Sequence, residues 1–349
     1  MTRPDAAGRV APPSDRARTQ AAERLAGLAT PAGALGRLGD AAVWLSAVQD
    51  ACPPRPLDDV RIVVFAGDHG VTSHGVSAYP KEITALMVRQ FLSGGAGVAV
   101  LARQHGAALR VLDLGVDVEP GVLPAEVSVH KVRRGSGALH LEDALTPGET
   151  DQALAVGATV AAEEIAAGAD LLIPGDMGIG NTTPSAALIA ATLGLDARDV
   201  TGRGSGVDEA TLAHKEQVVA RALVRAGERV ADPVDRLTAL GSADLAAQVG
   251  FLAEAARQGV PVLLDGVISV ACALVAEDYA PGSSAWFAAG HRSPEPAQAL
   301  ALSKLGLDPL LDLDMRLGEG SGAVAALPVL RSAGALLAEM SLLADVLGS

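Results

Sequence analysis

Short apolar runs that stop at glycine or aspartate alternate along this chain with longer stretches of helical period. Residues 61–65, 108–114, 169–173, 261–264 and 286–289 read as strands, 169–173 as a buried parallel one, and 127–132 is a further strand candidate. Residues 19–28, 35–50, 81–93, 97–105, 151–166, 185–195, 215–226, 242–257 and 327–347 read as helices. In the second of these, Leu38, Ala42, Leu45 and Val48 recur at helical spacing. Repeated strand–loop–helix order predicts an α/β fold, a Rossmann-like parallel sheet with helices on both faces. Ligands of such sheets sit beyond the carboxyl ends of the strands, so the loops there matter most.

Two glycine-rich loops carry candidate chemistry. Leu317-Gly318-Glu319-Gly320-Ser321-Gly322 places one carboxylate between glycines, where the backbone can approach a ligand closely or adopt positive φ. If buried there, Glu319 takes a proton from a bound molecule; the hexapeptide alone reads more readily as an ordinary solvated loop. Far upstream, Ile173-Pro174-Gly175-Asp176-Met177-Gly178-Ile179-Gly180-Asn181-Thr182-Thr183-Pro184 joins a buried strand to an Ala- and Leu-rich helix. Asn181, Thr182 or Thr183 can cap that helix, and Pro184 suits its first turn. A strand, a glycine turn and a helix N-terminus gather backbone N–H groups around a phosphate, although a plain strand-to-helix turn has the same pattern. The spacing is neither G-x-G-x-x-G nor G-x-x-x-x-G-K-S/T, so neither a dinucleotide site nor a nucleoside triphosphatase is indicated.

Composition narrows the classes. With 27 basic against 41 acidic residues the 349-residue chain carries a net charge of −14 and no basic cluster, which argues against nucleic acid as a partner. Cys52 and Cys272 provide no disulfide framework, so a reducing cytoplasm is the expected compartment. No uninterrupted apolar run reaches the roughly 18 residues of a membrane span. Residues 1–18, with Arg3, Arg9, Arg16 and Arg18 among prolines and acids, read as a disordered tail rather than a signal peptide.

Other stretches join the two loops in a colinear series. They are Pro31-Ala32-Gly33-Ala34-Leu35-Gly36-Arg37-Leu38, Gly67-Asp68-His69-Gly70-Val71, Gly75-Val76-Ser77-Ala78-Tyr79-Pro80, Gly202-Arg203-Gly204-Ser205-Gly206 with His214-Lys215, and His291-Arg292-Ser293-Pro294-Glu295-Pro296. In this order they resemble the nicotinate-nucleotide–dimethylbenzimidazole phosphoribosyltransferase family, which assembles the lower-ligand nucleotide of cobalamin. The resemblance runs from about Ala22 to the C-terminus.

It implies transfer of 5-phosphoribosyl from nicotinate mononucleotide to a benzimidazole nitrogen, with release of nicotinate and inversion at the anomeric carbon. It also implies a homodimer and no metal or cofactor. The chain has no H-E-x-x-H and no paired CxxC. Glu319 is then the catalytic proton acceptor and Asp176 its support. Gly178, Gly180, Asn181 and Thr182, with Gly204, Ser205 and Lys215, would hold the phosphate, and Ser293 the donor's ribose or carboxylate end. Tyr79, Pro80, Leu86, Met177 and Leu317 would form an apolar slot for the base. Asp68-His69 would shape the site rather than bind metal, Arg292 would serve an ion pair, and Asp312 and Asp314 a turn. The expected division is a small helical domain, 19–58 with 327–349, beside a large α/β catalytic domain, 59–326.

Departures from the family pattern gather in the acceptor pocket. Asp176 stands where glutamate is frequent and Leu86 where glutamine is common. Gly241-Ser242-Ala243-Asp244 replaces G-G-F-E, Val267 replaces phenylalanine, and Gly290 replaces serine. Lost polar contacts imply an acceptor range broadened or shifted from dimethylbenzimidazole. Transfer to another acceptor, and a non-catalytic nucleotide-binding role, stay open on the sequence alone.

Overall fold

A computed structural model describes residues 8–348. The chain begins with α1 (Asp15–Ala26) and α2 (Gly36–Val48) and then lays down β1 (Val60–Gly67). Helices α3 (Ile83–Ser93) and α4 (Gly97–His105) lead to β2 (Ala108–Gly115), and α5 (Pro147–Ala166) to β3 (Leu171–Met177). There follow α6 (Thr182–Leu193), α7 (Ala197–Val200), α8 (Glu209–Ala226), α9 (Pro233–Leu240) and α10 (Ala243–Arg257). Next come β4 (Val262–Leu264), α11 (Val267–Tyr279), β5 (Phe287–Ala289), β6 (His291–Arg292) and α12 (Pro296–Leu305). The last elements are β7 (Leu311–Asp312), α13 (Ser321–Glu339) and α14 (Leu343–Leu347).

The main sheet is parallel throughout, in the order β2-β1-β3-β4-β5, and β6 pairs with β7 in a second, two-stranded sheet. From β1 the chain goes to one side to form β2 and then returns past β1 to form β3. Doubly wound sheets bind ligands beyond the carboxyl ends of their strands near such a reversal. Every residue of β3 is buried, as its continuous apolar run requires. Beneath the sheet α5 and α10 pack backbone to backbone: a Cβ on Gly157 would lie 1.8 Å from the carbonyl of Ala247. A separate small cluster, Ala21, Leu28, Ala42, Ala333 and Leu337, joins α1, α2 and α13.

Several expectations need correction. Residues 1–7 lie outside the described residues, but 8–18 are not a loose tail. Ser14 Oγ caps α1 by accepting from Ala17 N at 3.2 Å, and the Val10 amide donates to Pro281 O at 2.9 Å. The 127–132 segment forms turns rather than a strand. It meets β2 through isolated bonds, Asp113 N to Val127 O and Val132 N to Leu114 O, with no ladder. The final helix starts at Ser321, not at residue 327, passes through Pro328 and breaks after Glu339. Helices α7, α9, α11 and α12 escape the sequence reading; in α11 residues 267–276 are all buried, so no polar face marks its period. Among the described residues Ile83–His105 and Ser321–Glu339 are long and apolar enough to cross a membrane by length and composition alone, although Arg89 and Arg103 interrupt the first and Arg331 the second; 33% and 56% of them are buried within the fold.

Candidate active site

A cavity of about 470 Å³ opens at the carboxyl ends of β3 and β4. It is lined by Glu319, Asp176, Met177, Gly178, Gly180, Asn181, Thr182, Gly204, Ser205, Lys215, Ser293, Tyr79 and Leu317, residues separated by up to 240 positions along the chain. Pro80 and Leu86 do not line it, and both are exposed. On α3 the pair Ile83 and Met87, one helical turn apart, faces the cavity instead, and Leu86 falls off that face. The glutamine-to-leucine departure therefore leaves the cavity wall untouched.

Glu319 sits at the last turn before α13 with φ 66°, in the left-handed region. Gly175 of β3 makes that placement possible, because a Cβ there would stand 2.2 Å from the Glu319 carbonyl. The side chain is 5% exposed. One carboxylate oxygen accepts the Val98 amide at 3.3 Å. Burial pushes the carboxyl up to about 6; the Val98 bond opposes the shift and the charge of Asp265 adds to it. A carboxylate so tuned is ionised at neutral pH and retains affinity for a proton.

Across the cavity, the 178–182 turn is pinned from both sides: Ile179 donates its amide to Thr84 Oγ1 at 3.1 Å, and its carbonyl accepts from Thr72 Oγ1 at 2.7 Å. A Cβ on Gly178 would strike the Gly67 carbonyl at 2.3 Å, so only glycine fits between the strand ends. Asn181 stands at the N-cap of α6 without capping it; its side-chain amide donates to Asp176 at 2.7 Å. Lys215 Nζ, from α8, donates to Thr182 Oγ1 at 2.7 Å and to Gly202 O at 2.9 Å. Burial lowers that ammonium to about 8, partly countered by Glu295. The Gly204 amide is already engaged, donating to Glu295 Oε1 at 2.7 Å. Ser293 Oγ is buried and lacks a partner, as a group awaiting a ligand would be.

Behind the turn lies a buried acidic network. Asp176 accepts from Asn181 and, at 2.7 Å, from Gln248 Nε2. Burial, with Asp244 nearby, pushes the Asp176 carboxyl well up. Asp244 is held down by His69, whose Nε2 lies 3.4 Å from it. His69 is thus a structural partner of an acid, and Asp68 accepts the Asp117 amide at 2.7 Å. Arg292 pairs with Asp312 at 3.5 Å. Among the described residues no group of three or more His, Cys, Asp or Glu side chains is placed to hold a metal ion.

Val267, expected in the acceptor pocket, lines the cavity, whereas sequence reasoning missed Arg203, Asp265, Ile268, His291, Glu295 and Arg316 as lining residues. Two of these, His291 and Glu295, stand inside the quoted H-R-S-x-E-P stretch, and Asp265 ends an expected strand. Those positions were visible; their direction was not.

Comparison with known proteins identifies the family. A profile described as phosphoribosyltransferase matches residues 10–346. Nicotinate-nucleotide–dimethylbenzimidazole phosphoribosyltransferases from Mycolicibacterium paratuberculosis and Mycobacterium avium are each 52% identical, with 96% of both chains covered. The solved enzyme of that name from Thermus thermophilus superposes with a TM-score of 0.88 at 43% identity, covering 96% of this chain and 99% of its own. The chain belongs to the nicotinate-nucleotide–dimethylbenzimidazole phosphoribosyltransferase family.

Proposed function

We propose that this protein transfers the 5-phosphoribosyl group of nicotinate mononucleotide to dimethylbenzimidazole, forming α-ribazole 5′-phosphate and nicotinate for the nucleotide loop of cobalamin. One observation carries the reading: a buried, proton-hungry Glu319 shares a cavity with a glycine turn at the N-terminus of α6. The phosphate is assigned to Gly178, Gly180, Asn181 and Thr182, with Ser205 and Lys215 beside them and Ser293 toward the nucleoside. Gly204 contributes a close approach rather than a free amide. Met177, Leu317 and Tyr79, together with Ile83, Met87 and Val267, offer the apolar wall for the base.

In the reaction a benzimidazole nitrogen attacks C1′ on the face opposite nicotinate. The bond from C1′ to the pyridinium nitrogen breaks, and its electron pair neutralises the leaving group. The second azole nitrogen, now acidic, gives its proton to Glu319. Positioning supplies much of the rate, because the pyridinium is already an activated, cationic leaving group before the bond breaks. Neither another acceptor nor a non-catalytic role gains support from the names of the relatives. The position of Leu86 removes one ground for a shifted acceptor.

The homodimer, the reducing cytoplasm and the small helical domain around α1, α2 and α13 belong to the same proposal; sedimentation of the purified chain tests the first. The activity is tested by incubating the protein with nicotinate mononucleotide, with and without dimethylbenzimidazole, and measuring nicotinate. Release that depends on the base is expected. Binding of the nucleotide without release would overturn the reading.

A further inference from the structure

Glu319 immediately precedes Gly320, the N-cap of α13, and so lies at the positive end of a 19-residue helix. Such an end ordinarily stabilises a carboxylate and makes it a poorer base. Here the amides of that end are already occupied. Asp265, in the loop between β4 and α11, accepts from Gly322 N at 2.7 Å and Ala323 N at 3.0 Å through Oδ1, and from Gly320 N at 3.1 Å through Oδ2. Its own placement is over-determined: its amide donates to Ser269 Oγ at 2.8 Å, and its carbonyl accepts from Gln298 Nε2 at 3.4 Å. Gln298 also donates to His291 O at 2.9 Å and accepts from Ser293 N at 2.5 Å, which ties the β6 strand to the same point. His291 Nε2 lies 3.5 Å from Asp265 Oδ1, and both side chains are almost wholly buried.

We propose that Asp265, with His291 as its counter-ion, is the positioning device of the active site: it fixes the turn that carries Glu319 and cancels the helix end that would weaken it as a base. The catalytic part of this inference rests on the reading of Glu319 given above. The direction of the Glu319 shift agrees, since the Asp265 charge contributes to raising it. Asp265 itself stays ionised, because His291 and the α13 amides hold its carboxyl down against burial, and Asp265 in turn raises the His291 imidazole. Other groups around Glu319 do not replace this pair. α4 presents the uncharged Gly97 and Val98, and β3 presents the Gly175 backbone and, one residue on, Asp176, whose proton affinity burial raises. Arg316, in the same loop as Glu319, is directed toward Gly206, within 3.0 Å of where a Cβ would stand.

The test reads Glu319 directly, by carbon NMR titration of protein labelled at its glutamate carboxyls, with Glu319→Gln assigning the signal. Asp265→Asn is expected to move the midpoint below about 6. The same variant is expected to lower kcat by about 100-fold, the scale of a small misplacement, while leaving KM for nicotinate mononucleotide within about threefold. His291→Gln, which leaves the Asp265 charge uncompensated, is expected to move the midpoint upward. A midpoint unmoved in Asp265→Asn, with activity lost, reduces Asp265 to a structural cap and overturns the proposal. If Asp265→Asn fails to fold, an unmoved midpoint in His291→Gln overturns it alone. The titration stands independently of turnover: shifted midpoints with full activity in Glu319→Gln would refute the role of Glu319 while leaving the tuning intact.

Discussion

Replacing Glu319 by glutamine should make the protein more stable at neutral pH while disabling it. The substitution removes a buried charge and keeps an oxygen to accept the Val98 amide. The carboxyl lies at about 6 in the folded chain against 4.5 when unperturbed. Because the folded state holds this proton more tightly than the unfolded chain does, stability is fully present below pH 4.5 and lost as pH rises through about 6. At about 1.36 kcal/mol per unit, the wild type bears a penalty of at most about 2 kcal/mol above that window, and about 1 once solvent at the cavity mouth is allowed for. Urea denaturation of both proteins at pH 4.5 and pH 8 gives the comparison. The variant should gain about 1 kcal/mol over the wild type on going from the lower to the higher pH. A difference that does not change with pH, or a variant less stable at pH 8, would mean that Glu319 is not desolvated as described.

Two further outcomes follow from the same cavity. Lys215→Met should raise KM for nicotinate mononucleotide by about 10- to 100-fold with a smaller change in kcat, the loss expected for one charge-assisted phosphate contact. In the wild type the same KM should climb as pH rises through about 8, where Lys215 sheds its proton; steady-state kinetics from pH 6.5 to 9 reads both effects. Leu86→Gln should leave KM for dimethylbenzimidazole within about twofold, because exposed substitutions outside a pocket change little. A marked change in acceptor preference would bring Leu86 back to the base.

The strands of the main sheet and both glycine loops were legible because each is local: a buried run ends where glycine admits a neighbouring backbone, as Gly175 admits Glu319. The short β6 and β7 were not foreseen, and 127–132 was not a strand. What escaped is relational. Nothing local reveals that the Asp265 carboxylate caps a helix beginning 56 residues later, or that Glu295 occupies the Gly204 amide. Helix phase decided which side chains of α3 reach the cavity: Ile83 and Met87 turn inward where Leu86, between them, turns out. α11 hid for the opposite reason, since burial on all sides erases the polar face that announces a helix.

Whether Glu319 removes the acceptor's proton is decided by the single-turnover rate of transfer from saturating nicotinate mononucleotide to neutral dimethylbenzimidazole at pH 8, in wild type and in Glu319→Gln. Loss of a general base should slow the variant by about 100-fold or more with nucleotide binding preserved. A variant that transfers within about twofold of the wild-type rate would contradict that role.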